Sequence, residues 1–318
     1  MTGAGTTNVA WTREPSFAGD PSTPTYVYPG RNVSVTDLTI ERALERSRLP
    51  DDNEAVESIA TALEGALAVE YDLCHPWMLT DAFVSDDTDS DSDGVLEWSM
   101  GRGQMPSSRW YIGVDVGASV CERELKGAAT TQLQIQISQN APARVTQTIV
   151  YADEDENTSL TPGDVVGGDE SPYMFHGADL TIDSSTKKKL QSGTLTITNG
   201  GSLDTGWNQV AIDAVAGDAN YSLSVSKIAD DSISENLSLA YGSSGATSPG
   251  DSVDGVSGEI PIIRADGDQI TFPLTGVRPN SLSWDNIPPG DEERVQELFE
   301  FYVDRVEATA DVTMSDPF

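Results

Sequence analysis

The densest group of cation-binding side chains is Asp86-Asp87-Thr88-Asp89-Ser90-Asp91-Ser92-Asp93-Gly94. Alternate carboxylates at Asp89, Asp91 and Asp93 can converge on a hard cation, and Gly94 permits the sharp turn that such a loop makes. This spacing is the first half of a calcium loop. The second half departs from it, because Met100 stands where the bidentate Glu is needed. Glu97 can substitute in a non-standard site, so the candidate Ca2+ set is Asp89, Asp91, Asp93 and Glu97. The plain alternative is a solvated acidic loop, and Asp153 to Glu156 is a second acidic stretch with no ligand spacing. No other cofactor is called for.

Signatures of catalysis are missing. The chain has no Gly-x-Ser-x-Gly elbow, Cys-x-x-Cys pair, paired-His metal motif or Walker loop. His75 and His176, its two histidines, each lie beside aromatic or Pro residues at expected strand edges, where a structural role is expected. Carboxylate pairs abound and none is singled out for glycoside cleavage. No catalytic residue is assigned, and the chain reads as a non-enzyme.

The 52 Asp plus Glu against 18 Lys plus Arg give a formal net charge of −34. Such a charge repels itself in a compact chain unless salt shortens the Debye length to roughly 3 Å, as about 1 M does. A halophilic setting is expected. Five of the cations are lysines and thirteen arginines; the one dense basic run, Lys187 to Lys189, falls at an expected hairpin tip. Gripping DNA through its phosphates needs a basic face, so specific nucleic-acid binding is not expected. Cys74 and Cys121 imply no disulfide framework and read as small buried residues. Met1 to Ala10 has no cationic start or apolar run, so neither signal peptide nor membrane span is expected.

The elements that must position these residues are mostly strands. Period-two alternation recurs in Leu133-Gln134-Ile135-Gln136-Ile137, Leu195-Thr196-Ile197-Thr198, Tyr221-Ser222-Leu223-Ser224-Val225, Leu237-Ser238-Leu239 and Val306 to Met314. Their wet faces carry uncharged Ser, Thr and Gln, which suits contact with a neighbouring subunit or the lining of a channel, and equally suits plain solvent-facing strand positions. Two helices are expected: Glu54 to Ala62 behind a cap at Asp51 or Asn53, and one after Pro288-Pro289-Gly290, capped by Asp291, with the stripe Val295, Leu298, Phe299 and Tyr302.

Weak internal similarity pairs Tyr26 to Val35 with Tyr173 to Ile182, Gly65 to Val69 with Gly193 to Ile197, and Leu133, Ile135 and Tyr151 with Leu223, Val225 and Tyr241. Chance likeness of alternating strands is the competing explanation. A tandem duplication would give two related β units, 1–152 and 171–318, the first with an N-terminal arm and the acidic insertion, the second with the C-terminal helix and strand.

The stretch from Trp11 to Leu73, with Phe17-Ala18-Gly19, Pro24-Thr25-Tyr26 and Leu63-Glu64-Gly65-Ala66-Leu67-Ala68-Val69, resembles the start of tail tube proteins of haloarchaeal tailed viruses. Arg109-Trp110-Tyr111-Ile112-Gly113-Val114-Asp115, Glu122 to Ala128 and the strand to Ile137 extend the likeness, which covers the second half mainly through Ala178 to Asn199. The resemblance implies a mainly β fold, a tail-tube β-sandwich or barrel with a short flanking helix. Its subunits would close into rings, trimeric and pseudo-hexameric or hexameric, and stack with one another and other tail proteins. Viral DNA would pass through the lumen without specific binding, and the arm around Thr6 to Ser16, polar, Pro-interrupted and without a core stripe, is expected to contact the next ring. The place of action would be the virion tail, after assembly in the host cytoplasm. The competing reading is a calcium-stabilised β-sandwich adhesin of a halophile, to which four sequons at Asn32, Asn157, Asn220 and Asn236 would also fit.

Overall fold

The computed structural model describes residues 7–48, 50, 54, 57–89, 92–116, 119–156, 165–287 and 294–318. The first half runs β1 (Thr7–Arg13), β2 (Arg31–Ser47), β3 (Glu57–Asp72), α1 (Met78–Phe83), β4 (Leu96–Ser99), β5 (Ser108–Val116), β6 (Ser119–Ser138), β7 (Arg144–Tyr151) and β8 (Asp153–Glu156). The second half opens with four strands, β9 (Thr181–Ile182), β10 (Ser185–Thr186), β11 (Leu190–Thr198) and β12 (Ser202–Asp204). It goes on through β13 (Asp213–Val215), β14 (Asn220–Ile228), α2 (Ile233–Ala240), β15 (Val256–Ile263), β16 (Gln269–Asp285), β17 (Gln296–Val303) and β18 (Arg305–Asp311). The mainly β architecture expected from the alternation is the one observed.

Eight strands form one continuous antiparallel layer in the order β2-β3-β7-β6-β11-β14-β17-β16. Its halves follow one plan: in each set of four, the third and fourth strands along the chain exchange places in the sheet. Outside the layer the plan continues. A hairpin, β5–β6 or β15–β16, is flanked on one side by β1 or β9 and on the other by β8 or β18. A short helix follows the second strand of each set, α1 after β3 and α2 after β14.

β6 and β16 belong to both layers, and each turns between them at a glycine. Gly127 has φ +60° and Gly276 has φ +70°, values that a side chain with a Cβ adopts at a cost. Beyond each glycine the register is the same: Lys126 pairs with Asp153, and Thr275 with Arg305, each partner lying two residues after the end of the preceding strand.

The core fills the space between the layers. Leu133, Ile135, Val145, Ile149, Leu195, Leu223, Phe299 and Phe301 face it from the large layer, against Trp110, Ile112 and Leu125 in one half and Ile260, Ile262, Phe272 and Leu274 in the other. Trp11 stacks on Trp110 with centroids 6.0 Å apart, and Phe318 packs on Trp11 at 4.8 Å. Arg264, 7% exposed, ties the halves together by donating from Nη1 to the carbonyls of Cys74 and Ser171 while Nη2 bonds Asp268.

Several sequence expectations need correction. Thr7–Arg13 is no free arm, since Val9, Ala10 and Trp11 are buried in β1, paired to β5. Residues 57–62 lie in β3, where pairing with β2 overrides the helical spacing read over Glu54 to Ala62; Asp51 and Asn53 lie outside the described residues. The stripe read as a helix after Pro288-Pro289-Gly290 is strand β17, and its cap Asp291 lies outside the described residues. Leu237-Ser238-Leu239, read as a strand, sits in α2. Asp153–Glu156, read as a loop, is β8, paired to β6. Lys187 is buried and its Nζ donates to Asn236 Oδ1 at 3.0 Å, so it caps no hairpin tip. Cys74 is buried as expected, whereas Cys121 is exposed.

Candidate channel face and assembly edges

Strands β6, β7, β11 and β14 form the middle of the large layer, and alternation gives each a core face and an open face. On the open face the register aligns Thr146, Gln134, Thr196, Ser222 and Tyr302 in one row across five strands. A neighbouring row joins Gln136, Thr194, Ser224 and Glu300. Gln132 donates to the Thr198 hydroxyl at 3.2 Å, and the Ser281 hydroxyl donates to Glu300 at 3.2 Å. Cross-strand side-chain pairs of this kind support the sheet face, the first of them without charge.

The neutrality of this carpet is selective. Of 318 residues 52 are Asp or Glu, yet residues 129–138, 144–151, 190–198 and 220–228 contain neither. Arg144 at the upper rim is matched by Glu70 at 3.2 Å and Asp72 at 3.3 Å. The middle of this face is therefore poor in the cations that would grip phosphate.

The ends of the layer contrast with this finished face. Taking the Asp72–Arg144 row as the upper end, β2 runs downward and the part of β16 from Arg278 to Asp285 runs upward. Among the described residues, β2 pairs only with β3, and that part of β16 only with β17. Two edges of opposite direction are therefore left open. The outermost residues of β2 are exposed, including Ile40 and Leu44 (59% exposed). An open, partly apolar edge of this length invites further strand pairing. Below the Gly65–Tyr151 pair, where β7 ends, β3 continues for eight residues to Glu57 beside β2, about 26 Å of hairpin at 3.3 Å per residue.

Buried charge is concentrated where the halves are clamped. In the first half Arg109 holds Glu14 at 3.2 Å, Glu124 at 2.9 Å and Asp20 at 2.8 Å, and the Gly127 amide donates to Glu14 at the β6 bend. Burial raises the Glu14 pKa, against the pull of Ser107, Gly127 and Arg109. In the second half Lys227 bonds Asp230 at 2.9 Å and lies 3.5 Å from Glu297, while Asn236 in α2 accepts from Lys187 and donates to Glu297. Burial opposes ionisation of Asp230, but hydrogen bonds from Ser232 and Lys227 bring it down to about 2. The Glu14, Glu124, Lys227 and Glu297 side chains of these clusters are buried, whereas Asp20 reaches the surface.

The acidic loop is placed as follows. The Asp89 carboxylate accepts from the Asp93 and Gly94 amides at 3.1 and 3.2 Å, and Asp93 Oδ1 accepts from the Val95 amide. Glu97 stands on β4, where its backbone pairs with Thr88, and Asp91 lies outside the described residues. Asp89 and Asp93 thus spend oxygens on their own turn. His75 is buried with Nε2 against the Tyr28 carbonyl at 2.7 Å, and burial lowers its pKa; His176 is the middle residue of a short helical turn, Phe175–Gly177. Of the sequons, Asn236 is 1% exposed. Sequence reasoning missed the open edges, since an edge is a property of the assembled sheet.

No curated protein matches the chain. The family described as phage tail tube protein matches residues 4–285, a span that takes in the neutral face and both open edges. This chain belongs to the phage tail tube protein family and is a structural component of a virion tail.

Proposed function

We propose that three copies close into a ring by pairing the upper half of β2 of each protomer with residues 278–285 of the next. The open edges carry this reading, because the downward β2 and the upward part of β16 continue the antiparallel alternation across each seam. Closure removes both edges at once. Three copies of an eight-stranded layer make a barrel of twenty-four strands, roughly 37 Å across at the backbone without tilt and wider with it, room for a DNA duplex. The repeated strand plan supports a ring with six similar units, as a tandem duplication would supply. A true hexamer would double the strand count and the width.

The open face of the four middle strands, whose segments within the layer carry no Asp or Glu, then lines the lumen and conducts the genome without holding it. Rings stack head to tail, a heterologous contact that extends without closing. The net charge of −34 supports assembly in a salt-rich host cytoplasm, as in a halophilic archaeon, where short Debye lengths quiet the repulsion between subunits. Electron microscopy of purified protein in about 3 M salt, with a parallel sample at low salt, tests this. Hollow rings with three subunits are expected in high salt, and dissociation in low salt. Monodisperse monomers in concentrated, salt-rich solution would refute it.

A further inference from the structure

The six tryptophans divide sharply. Trp11, Trp77, Trp98 and Trp110 are at most 3% exposed, Trp284 is 42% exposed, and Trp207 is wholly exposed at 105%. Trp207 sits in the turn between β12 and β13, and the turn is tied rather than loose. The Gly206 amide donates to Asp204 Oδ1, the Asn208 amide to the Thr205 carbonyl, and the Ile212 amide to the Asp204 carbonyl, at 2.8 to 3.0 Å. Gln209 fastens the turn to β3, accepting from the Leu63 amide at 2.9 Å and donating to the Ala60 carbonyl at 2.8 Å. A large aromatic side chain held in water by a fixed backbone has the character of a contact hot spot.

Its position restricts the partner. The turn lies beside β3 below the point where β7 ends, on the side of β3 away from β2. It is therefore set in from the lateral edge that β2 forms, at the lower end of the layer. Exposed Ile59, on the same stretch of β3, and Ile212 extend the apolar surface there. At the upper end, Trp284 in the penultimate row of β16 and Ile287 just beyond it, 60% exposed, form a second apolar corner.

We propose that Trp207 is the main axial contact of this chain, and that it docks on the Trp284–Ile287 corner of a second copy in the adjacent ring. The proposal rests on the stacked-ring reading above. Knob and receiver lie at opposite ends of one chain, so each ring offers both and the contact repeats along the tube.

The test uses the full chain in high salt, read by electron microscopy and sedimentation. Trp207→Asp and Ile287→Asp, the latter outside the seam residues 278–285, are each expected to leave single rings intact and cut the fraction of protein in multi-ring tubes at least tenfold. Mixed together, the two variants have one sound interface between them and are expected to give rings in pairs. Trp207→Phe is expected to keep tubes but lose most of the blue shift in tryptophan emission that accompanies stacking. Tubes of normal length from Trp207→Asp, an absence of ring pairs in the mixture, or an undiminished blue shift in Trp207→Phe would each overturn this contact while leaving the tube reading standing. Wild-type rings that never stack would overturn both.

Discussion

The fourth residue of each short helix is a buried polar side chain, and the two are treated in opposite ways. Asn236 in α2 is 1% exposed and fully engaged, with Lys187, Ser232 and Glu297 as partners at 3.0 to 3.3 Å. Asp81 in α1 is 1% exposed, and neither of its carboxylate oxygens has a hydrogen-bond partner among the described residues. Burial drives its pKa up to about 7, against the attraction of Arg13. One plan thus supports a helix over a satisfied polar network or over a carboxyl kept close to neutrality. What fixes the helix is the layer beneath it, and the polar residue is free to differ.

The largest way to break the comparison is to strip one cation from each half. Lys227→Ala removes the cation that both Glu297 and Asp230 contact, and Arg109→Ala removes the one that Glu14 and Glu124 contact. Each is expected to cost about 3–5 kcal/mol, read as a drop in the unfolding midpoint in high salt. Equal losses would mean the two clamps serve their halves alike.

Asp81 should show itself through pH. Its folded pKa is raised from 3.8 to about 7, so between those values the folded chain holds a proton that the unfolded chain has lost. Stability from this group is complete below pH 3.8 and falls as pH rises through 7, with a slope of about 1.4 kcal/mol per pH unit inside the window. Asp81→Asn, which copies the other half, is expected to flatten that slope in melting curves taken from pH 4 to 8. An unchanged slope would show that the carboxyl is ionised throughout.

Glycines give smaller and graded effects. A Cβ at Gly65 would lie 2.1 Å from the Tyr151 ring, so Gly65→Ala is expected to cost about 1–3 kcal/mol by overpacking. Gly127→Ala, at one bend, should cost about 1–2 kcal/mol from the left-handed backbone, and Gly276→Ala, at the other, more than that, because its Cβ would also lie 2.2 Å from the Asp304 carboxylate. In β11 a Cβ at Gly193 meets only the Ser224 carbonyl oxygen at 3.9 Å, so Gly193→Ala should stay within about 0.5 kcal/mol of wild type. Midpoints of chemical unfolding would rank all four.

Strands were legible where burial follows from local alternation alone. Leu133, Ile135, Leu195, Ile197, Tyr221, Leu223 and Val225 all face the core as their spacing requires. β17 was not legible, because its buried positions are Glu297, Phe299, Phe301 and Val303. A charged residue at the first of these hid the alternation, and the exposed Leu298 and Tyr302 completed a false helical stripe. Glu297 can be buried only because Lys227 and Asn236 arrive from other elements. In α2, too few apolar residues fix the period, and contact with the sheet decides it.

The sequence by itself determined the β class, the uncharged composition of one strand face and the excess of negative charge, since each is carried by residue types and by a period of two. Tertiary structure decided which strands end the layer, where Lys227 finds its carboxylates, and that Trp207 stands in water while Trp11 lies in the core. Those outcomes depend on partners distant along the chain, and a local pattern holds no record of what will lie beside it after folding.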